Sequence, residues 1–197
     1  YTVRLLVDGA PAGDARLVVR KDPRSDATQA DLIAQYKLLI AIRDRTTDAN
    51  DAVRTVRNVR QQAMSRMNQV GADSARYAQL VKTLDQRISA MEAEIYQVKN
   101  QSGQDPLNYP IKVNNQIAAL AGVVGSAEAR PTKQSQQVFD LLTKELEGYL
   151  VELRKAYQEL IPPIDEILKK NGHPAIEVKP ADTPAARNTS ADEEMGV

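Results

Sequence analysis

The chain has 197 residues, equal numbers of acidic and basic side chains, one Phe, no Trp and no Cys. Zero net charge supplies no global field that would draw it to nucleic acid or to an anionic membrane, and the lack of cysteine excludes disulfides and thiolate chemistry. The apolar share of 42% is enough for a core, and with so few aromatics that core has to be built from Leu, Ile, Val, Ala and Met, as in a helical bundle.

Tyr1, Val3, Leu5 and Val7 fall on one side of a strand at a period of two. Asp8-Gly9-Ala10-Pro11-Ala12-Gly13 reads as a turn and Ala15 to Arg20 as a second short strand, so residues 1–21 predict a β-hairpin. A lone hairpin is marginal in water because its apolar face has no second layer to cover it. The missing layer is therefore expected elsewhere, and a chain that starts at Tyr is expected to be a processed or truncated product.

Residues 22–171 predict a bundle of about four helices, with segments near 28–70, 74–100, 111–125, 132–161 and 163–171. Thr28 with Asp31 marks the first helix start. Ile42, Ala49, Val56, Ala63 and Val70 recur every seven residues, as do Leu39, Thr46, Val53, Arg60 and Met67, a coiled-coil seam over most of a long helix. Gly71-Ala72-Asp73-Ser74 supplies a helix stop and a new start, so the second helix turns back antiparallel. Its Tyr77, Val81, Leu84, Ile88, Met91, Ile95 and Val98 alternate spacings of four and three. Pro106 and Pro110 mark a loop before a short third helix with Ile117, Leu120 and Val124 inward. The fourth carries Val138, Leu142, Leu146, Tyr149, Leu153, Tyr157 and Leu160, and is expected to end at Pro162-Pro163.

Few residues point to chemistry. His173 is the only histidine and reads as a loop residue, so zinc sites and nucleophile triads have little to work with, while a carboxylate-only site stays open in principle. Glu145, Glu152 and Glu159 recur every seven residues, as a solvated stripe beside a seam would. Gly122 and Gly125 lack the Gly-Lys-Ser/Thr ending of a phosphate loop and suit close packing and helix termination. Arg54, Arg57, Arg60 and Arg66 form a basic stretch without stacking aromatics, which favours pairing with acids on a neighbouring helix or a partner. Arg60 stands where a seam wants an apolar residue. Residues 172–197 predict an extended tail; from Lys179 onward the composition turns to Pro, Ala, Thr, Ser and acids, and that stretch is expected to be ordered by another chain.

Taken in order, the strand pair, Lys21-Asp22-Pro23-Arg24, the long helical hairpin, Pro106-Leu107-Asn108-Tyr109-Pro110-Ile111-Lys112, Asn114-Asn115-Gln116-Ile117-Ala118-Ala119-Leu120 and Arg130-Pro131-Thr132 resemble one C-terminal region. It is that of secreted bacterial sortilin-like proteins with BNR-repeat β-propellers, often labelled glycosyl hydrolases. The resemblance implies that the strand pair is the end of an immunoglobulin-like domain, with Tyr1 near a strand where tyrosine pins a sandwich corner. The propeller itself is absent, so the resemblance assigns no hydrolytic residue here. A processed remnant of this kind also resembles, in character, the extrinsic accessory subunit of a bacterial photosynthetic reaction-centre and light-harvesting complex.

The sequence thus predicts a mainly α protein: a β-hairpin remnant, a helical bundle and an extended tail. The expected function is that of a non-catalytic, extracytoplasmic subunit, peripheral to the membrane, that stabilises a larger assembly without cofactor or metal. The expected contacts are Tyr1, Val3, Leu5 and Val7 of the hairpin, Arg54, Arg57 and Arg60, and Pro180, Asp192, Glu193 and Glu194 of the tail. The alternatives are a detached module of a propeller protein and a helical oligomerisation domain.

Overall fold

The computed structural model describes residues 1–180, which contain strands β1 (Thr2–Val7) and β2 (Ala10–Arg16) and helices α1 (Gln29–Met64), α2 (Ser74–Ile95), α3 (Val113–Val124) and α4 (Lys133–Lys170). The mainly helical fold with an N-terminal hairpin matches the sequence reading, and several boundaries do not.

The hairpin turn is only Asp8-Gly9, with φ of 52° and 80°. Both residues sit in the left-handed region that a two-residue type I′ connection demands, so the six-residue turn contracts and β2 starts at Ala10. Leu5 pairs with Gly13 and Leu6 with Pro11, which leaves Ala12 as a bulge beside a residue that cannot donate to a ladder. Every one of residues 1–20 is exposed.

Thr28 opens α1 with a reciprocal capping box: its hydroxyl accepts from the Asp31 amide at 3.2 Å, while Asp31 accepts from the Thr28 amide at 3.1 Å. Ile42, Ala49, Val56, Ala63 and Val70 are buried as the heptads require, although the helix stops at Met64. The last stretch of the expected helix becomes turns, and the expected stop is a short 3-10 segment, Gly71–Asp73, where the chain reverses with Gly71 at a φ of 51°. In α2, Tyr77, Val81, Leu84, Ile88 and Ile95 are buried and the Tyr77 hydroxyl donates to the Ala63 carbonyl at 2.9 Å. The helix ends at Ile95, and Val98 turns outward because Gln97 leaves the helix to donate to the Pro110 carbonyl at 2.9 Å. The expected break in α4 does not occur. Pro162 and Pro163 lie inside one continuous helix, since the carbonyls they deprive of donors belong to exposed Gln158 and Glu159, where water can satisfy them. Val138, expected inward, is exposed at the start of this helix.

The pairings between helices set the architecture. Arg130 of the α4 approach meets Asp31, Glu147 lies 3.8 Å from Arg45, and Lys170 reaches Asp73, so α4 runs parallel to α1 for its whole length. At about 1.5 Å per residue each spans roughly 55 Å. The return path is divided: α2 descends beside the second half of α1, and α3 beside the first half, where Asn114 donates to Asn50 and Gln35 donates to the Val124 and Ala127 carbonyls. The cross-section is therefore three helices deep along the rod. The heptad seam of α1 is buried within this one chain.

After Gly172, residues 173–180 turn back in extended form along α1. His173 Nε2 donates to the Gln69 carbonyl at 3.0 Å, Gln62 exchanges two hydrogen bonds with the Glu177 backbone at 2.9 Å each, and Asn58 donates to the Lys179 carbonyl at 3.1 Å. Ile176 is buried and its amide donates to Asp165 at 2.8 Å. This first part of the expected tail is thus held by α1 and α4, and the stretch from Lys179 expected to be ordered by another chain lies, past Pro180, outside the described residues.

The junction at the start of the rod is testable by pH. The Thr28 hydroxyl, the Arg130 guanidinium and the Thr28 amide hold the Asp31 carboxyl at about 2. A depressed value in the folded state means that the interaction is complete above the ordinary carboxylate range and is lost as pH falls through about 2. An NMR titration should place the Asp31 carboxylate midpoint near 2, and Thr28→Ala and Arg130→Ala should each move it upward. A midpoint in the ordinary aspartate range in the intact protein would contradict this account.

Candidate functional site

The hairpin is sorted by polarity. Antiparallel pairing puts Val3 opposite Ala15, Leu5 opposite Gly13 and Val7 opposite Ala10, with Tyr1 joined to Leu17 by two bonds of 2.9 Å. The other side carries Thr2, Arg16 and the forked Arg4–Asp14 pair, both bonds 2.9 Å, with Leu6 opposite Pro11 near the turn. One face is thus apolar and the reverse face charged except for Leu6 and Pro11 near the turn, yet Tyr1 is 84% exposed and Leu5 61%. A face of this kind is what a sheet normally buries against a second layer. Tyr1 pins no corner among the described residues.

The basic stretch of α1 is engaged within the chain. Arg57 Nε donates to Glu92 at 2.6 Å, Arg60 donates to Asp85 at 2.6 Å, to Ser89 at 2.7 Å and to Glu92 at 2.8 Å, and Arg54 pairs with Asp51 at 3.0 Å. The Arg57 guanidinium also lies 5.0 Å from the centre of the Tyr96 ring. Glu92 is only 4% exposed, and its two oxygens are taken up by the two arginines. Burial works to lower the Arg60 pKa, and the bonds and charges of Asp85 and Glu92 more than offset it, so the group stays a cation. Burial pushes the neighbouring Tyr157 phenol well up, and its hydroxyl finds no partner.

This cluster sits between α1 and α2, and its bonds order the two helices against each other. Glu92 was not singled out in the sequence. The signal was there: it follows Ile88 by four and precedes Ile95 by three, a carboxylate on the apolar stripe, facing the arginine that breaks the α1 seam.

The remaining expectations fall as follows. Glu145, Glu152 and Glu159 are exposed and engaged by Tyr149, Lys155 and Arg87, as a solvated stripe is. Burial, then the Glu145 hydrogen bond, lifts the Tyr149 phenol to about 12. Gly125 caps α3, whereas Gly122 is exposed with open space where a Cβ would be and packs against nothing. Pro180 closes the segment along α1, and Asp192, Glu193 and Glu194 lie outside the described residues. Among the described residues no group of three acids or histidines is placed to hold a metal ion, and no helix is long and apolar enough to cross a membrane. No protein-family model matches the chain, and neither a curated protein nor a solved structure is significantly similar to it.

Removing Glu92 takes away the buried carboxylate shared by half-exposed Arg57 and partly buried Arg60, leaving Arg60 with Asp85 alone. Glu92→Ala should therefore cost about 3 kcal/mol in urea unfolding. The combined Arg57→Met, Arg60→Met, Glu92→Met replacement should recover most of that loss, because an apolar filling needs no charge balance. Equal losses for both proteins would show that packing, not charge, carries the site.

Proposed function

We propose that this protein is a non-catalytic structural subunit that docks through its N-terminal hairpin onto a larger extracytoplasmic, membrane-associated assembly, with the helical rod as spacer. The observation that carries this reading is the exposed, polarity-sorted hairpin: an apolar face of Tyr1, Val3, Leu5, Val7 and Leu17 backed by the Arg4–Asp14 pair. A solvent-facing apolar patch bordered by charge is a mark of a protein–protein contact. A strand pair with free edges takes up such a contact by adding to a partner's sheet. The rod suits a spacer because its seam and its polar cluster are satisfied within the chain. The resemblance to the C-terminal region of sortilin-like propeller proteins supports an extracytoplasmic setting, and a photosynthetic reaction-centre complex is one host it suggests.

A second reading, the detached C-terminal module of a secreted propeller protein, is favoured by the same hairpin, which lacks the second layer that an immunoglobulin-like domain would supply. The two readings differ in what accompanies the chain in its native source.

Deleting residues 1–20 should leave helicity and thermal unfolding unchanged, since every residue in that range is exposed. It should also abolish co-migration with a large complex on native electrophoresis of source membranes, with the partner chains identified by mass spectrometry. Undiminished co-migration after the deletion, or after Val3→Asp with Leu5→Asp, would overturn docking through the hairpin. Upstream propeller peptides at matching abundance would favour the second reading.

A further inference from the structure

The two edges of the hairpin are not alike. Tyr1 and Leu17 exchange both backbone bonds at 2.9 Å, which fixes the phase of the ladder. Along β1 the N–H and C=O groups of Tyr1, Val3 and Leu5 therefore point inward to β2, and those of Thr2, Arg4 and Leu6 point outward. The outer edge of β1 offers an unbroken row of donors and acceptors on exposed residues. On β2 the outward residues are Arg16, Asp14 and, past the extra residue Ala12, Pro11, which has no N–H to give. A bulge next to a proline bends and interrupts that edge, a device that keeps strands from pairing there. One edge of the sheet is blunted and the other is open.

Resting on the hairpin as the docking element, we propose that the contact is made by the outer edge of β1, which takes up a strand of a different protein whose apolar residues alternate with an acidic one set opposite Arg4. Side chains of an added strand follow the period of two. Those on one side extend the face of Tyr1, Val3, Leu5 and Val7 and have to be apolar, and those on the other lie beside Thr2, Arg4 and Leu6. Arg4 sets the charge. Its Nε and Nη2 donate to Asp14 at 2.9 Å each, its Nη1 donates to no group among the described residues, and its side chain is 59% exposed. A second carboxylate can therefore join from the open side, with a charge-assisted bond to Nη1. The same residue disfavours a second copy of this chain as the occupant. Antiparallel self-pairing through all three outward residues sets Thr2 against Leu6 and Arg4 against its own counterpart, and like charges directly opposite each other destabilise a strand pair.

Thr2 and Arg16 face each other on one rung and send their N–H groups to opposite edges. Thr2→Pro should cut co-migration of the full chain with its complex, on native electrophoresis of source membranes, by about tenfold, the order of one lost ladder bond. Arg16→Pro should leave co-migration unchanged, and both variants should keep the Val3–Ala15 cross-strand NOE. Arg4→Asp combined with Asp14→Arg preserves an ion pair while reversing the charge at the edge, and should cause a loss like that of Thr2→Pro. In the complex of the unaltered chain the Arg4 and Leu6 amides should exchange with deuterium more slowly than in the free chain, with Asp14 and Arg16 unchanged. Full co-migration of Thr2→Pro, equal loss from both prolines, or slowed exchange at Asp14 and Arg16 instead would overturn the β1 edge and leave docking by the hairpin standing. Full co-migration of the charge-exchanged chain would overturn the acidic partner. Co-migration that survives Val3→Asp with Leu5→Asp would overturn the hairpin reading and this one together. Slow exchange at Arg4 and Leu6 in the purified chain, with a mass that doubles as concentration rises, would overturn it by assigning the edge to a second copy.

Discussion

Two long helices that lie parallel cannot be joined by a short loop, and most of this structure follows from that. Having reached Met64, the chain must travel the length of the rod before it can start α4 beside the beginning of α1. The return path uses two helices rather than one, since 22 residues of α2 cover one half of α1 and 12 residues of α3 the other. The segment between them is where Gln97 and Pro110 close the loop and Lys112 meets Glu94. Burial is thereby spread along the whole rod instead of being concentrated in one core. Side chains from all four helices form one contiguous cluster.

A long three-helix rod of mostly aliphatic residues has little to fix its register, because aliphatic seams tolerate sliding. Polar contacts supply the register here. Glu92 between Arg57 and Arg60 sets α2 against α1, Asn114 with Asn50 sets α3, and Arg130 with Asp31 and Lys170 with Asp73 set the two ends of α4. Buried ionic groups of this sort contribute little net stability, yet a mispaired alternative would leave Glu92 dry and uncompensated. The extended residues 173–180 act in the same sense, since their backbone is clamped by side-chain amides from α1 and anchored by Ile176.

Against this internally satisfied rod the hairpin stands apart. Its ladder, turn and ion pair are all present, while its apolar face stays in water. Covering a face of that kind at roughly 25 cal/mol per Å² of apolar surface is a sizeable favourable term that this chain leaves unused. That contrast, and not any catalytic constellation, is why the functional reading centres on contact with another protein.

The sequence by itself determined the class of the fold, the four helices, the α1 and α2 stripes and the hairpin, because period-two and heptad patterns depend only on which side of an element is buried. It also marked Arg60 as out of place in its seam. Only the tertiary structure decided that α4 is parallel to α1, that it passes through Pro162-Pro163, and that residues 173–180 fold back on α1. A proline pair reads as a stop in one dimension, and whether its orphaned carbonyls reach solvent depends on what surrounds the helix. Gln62 and Asn58 are ordinary surface residues in the sequence, and their role as clamps exists only once a segment more than one hundred positions away lies across them.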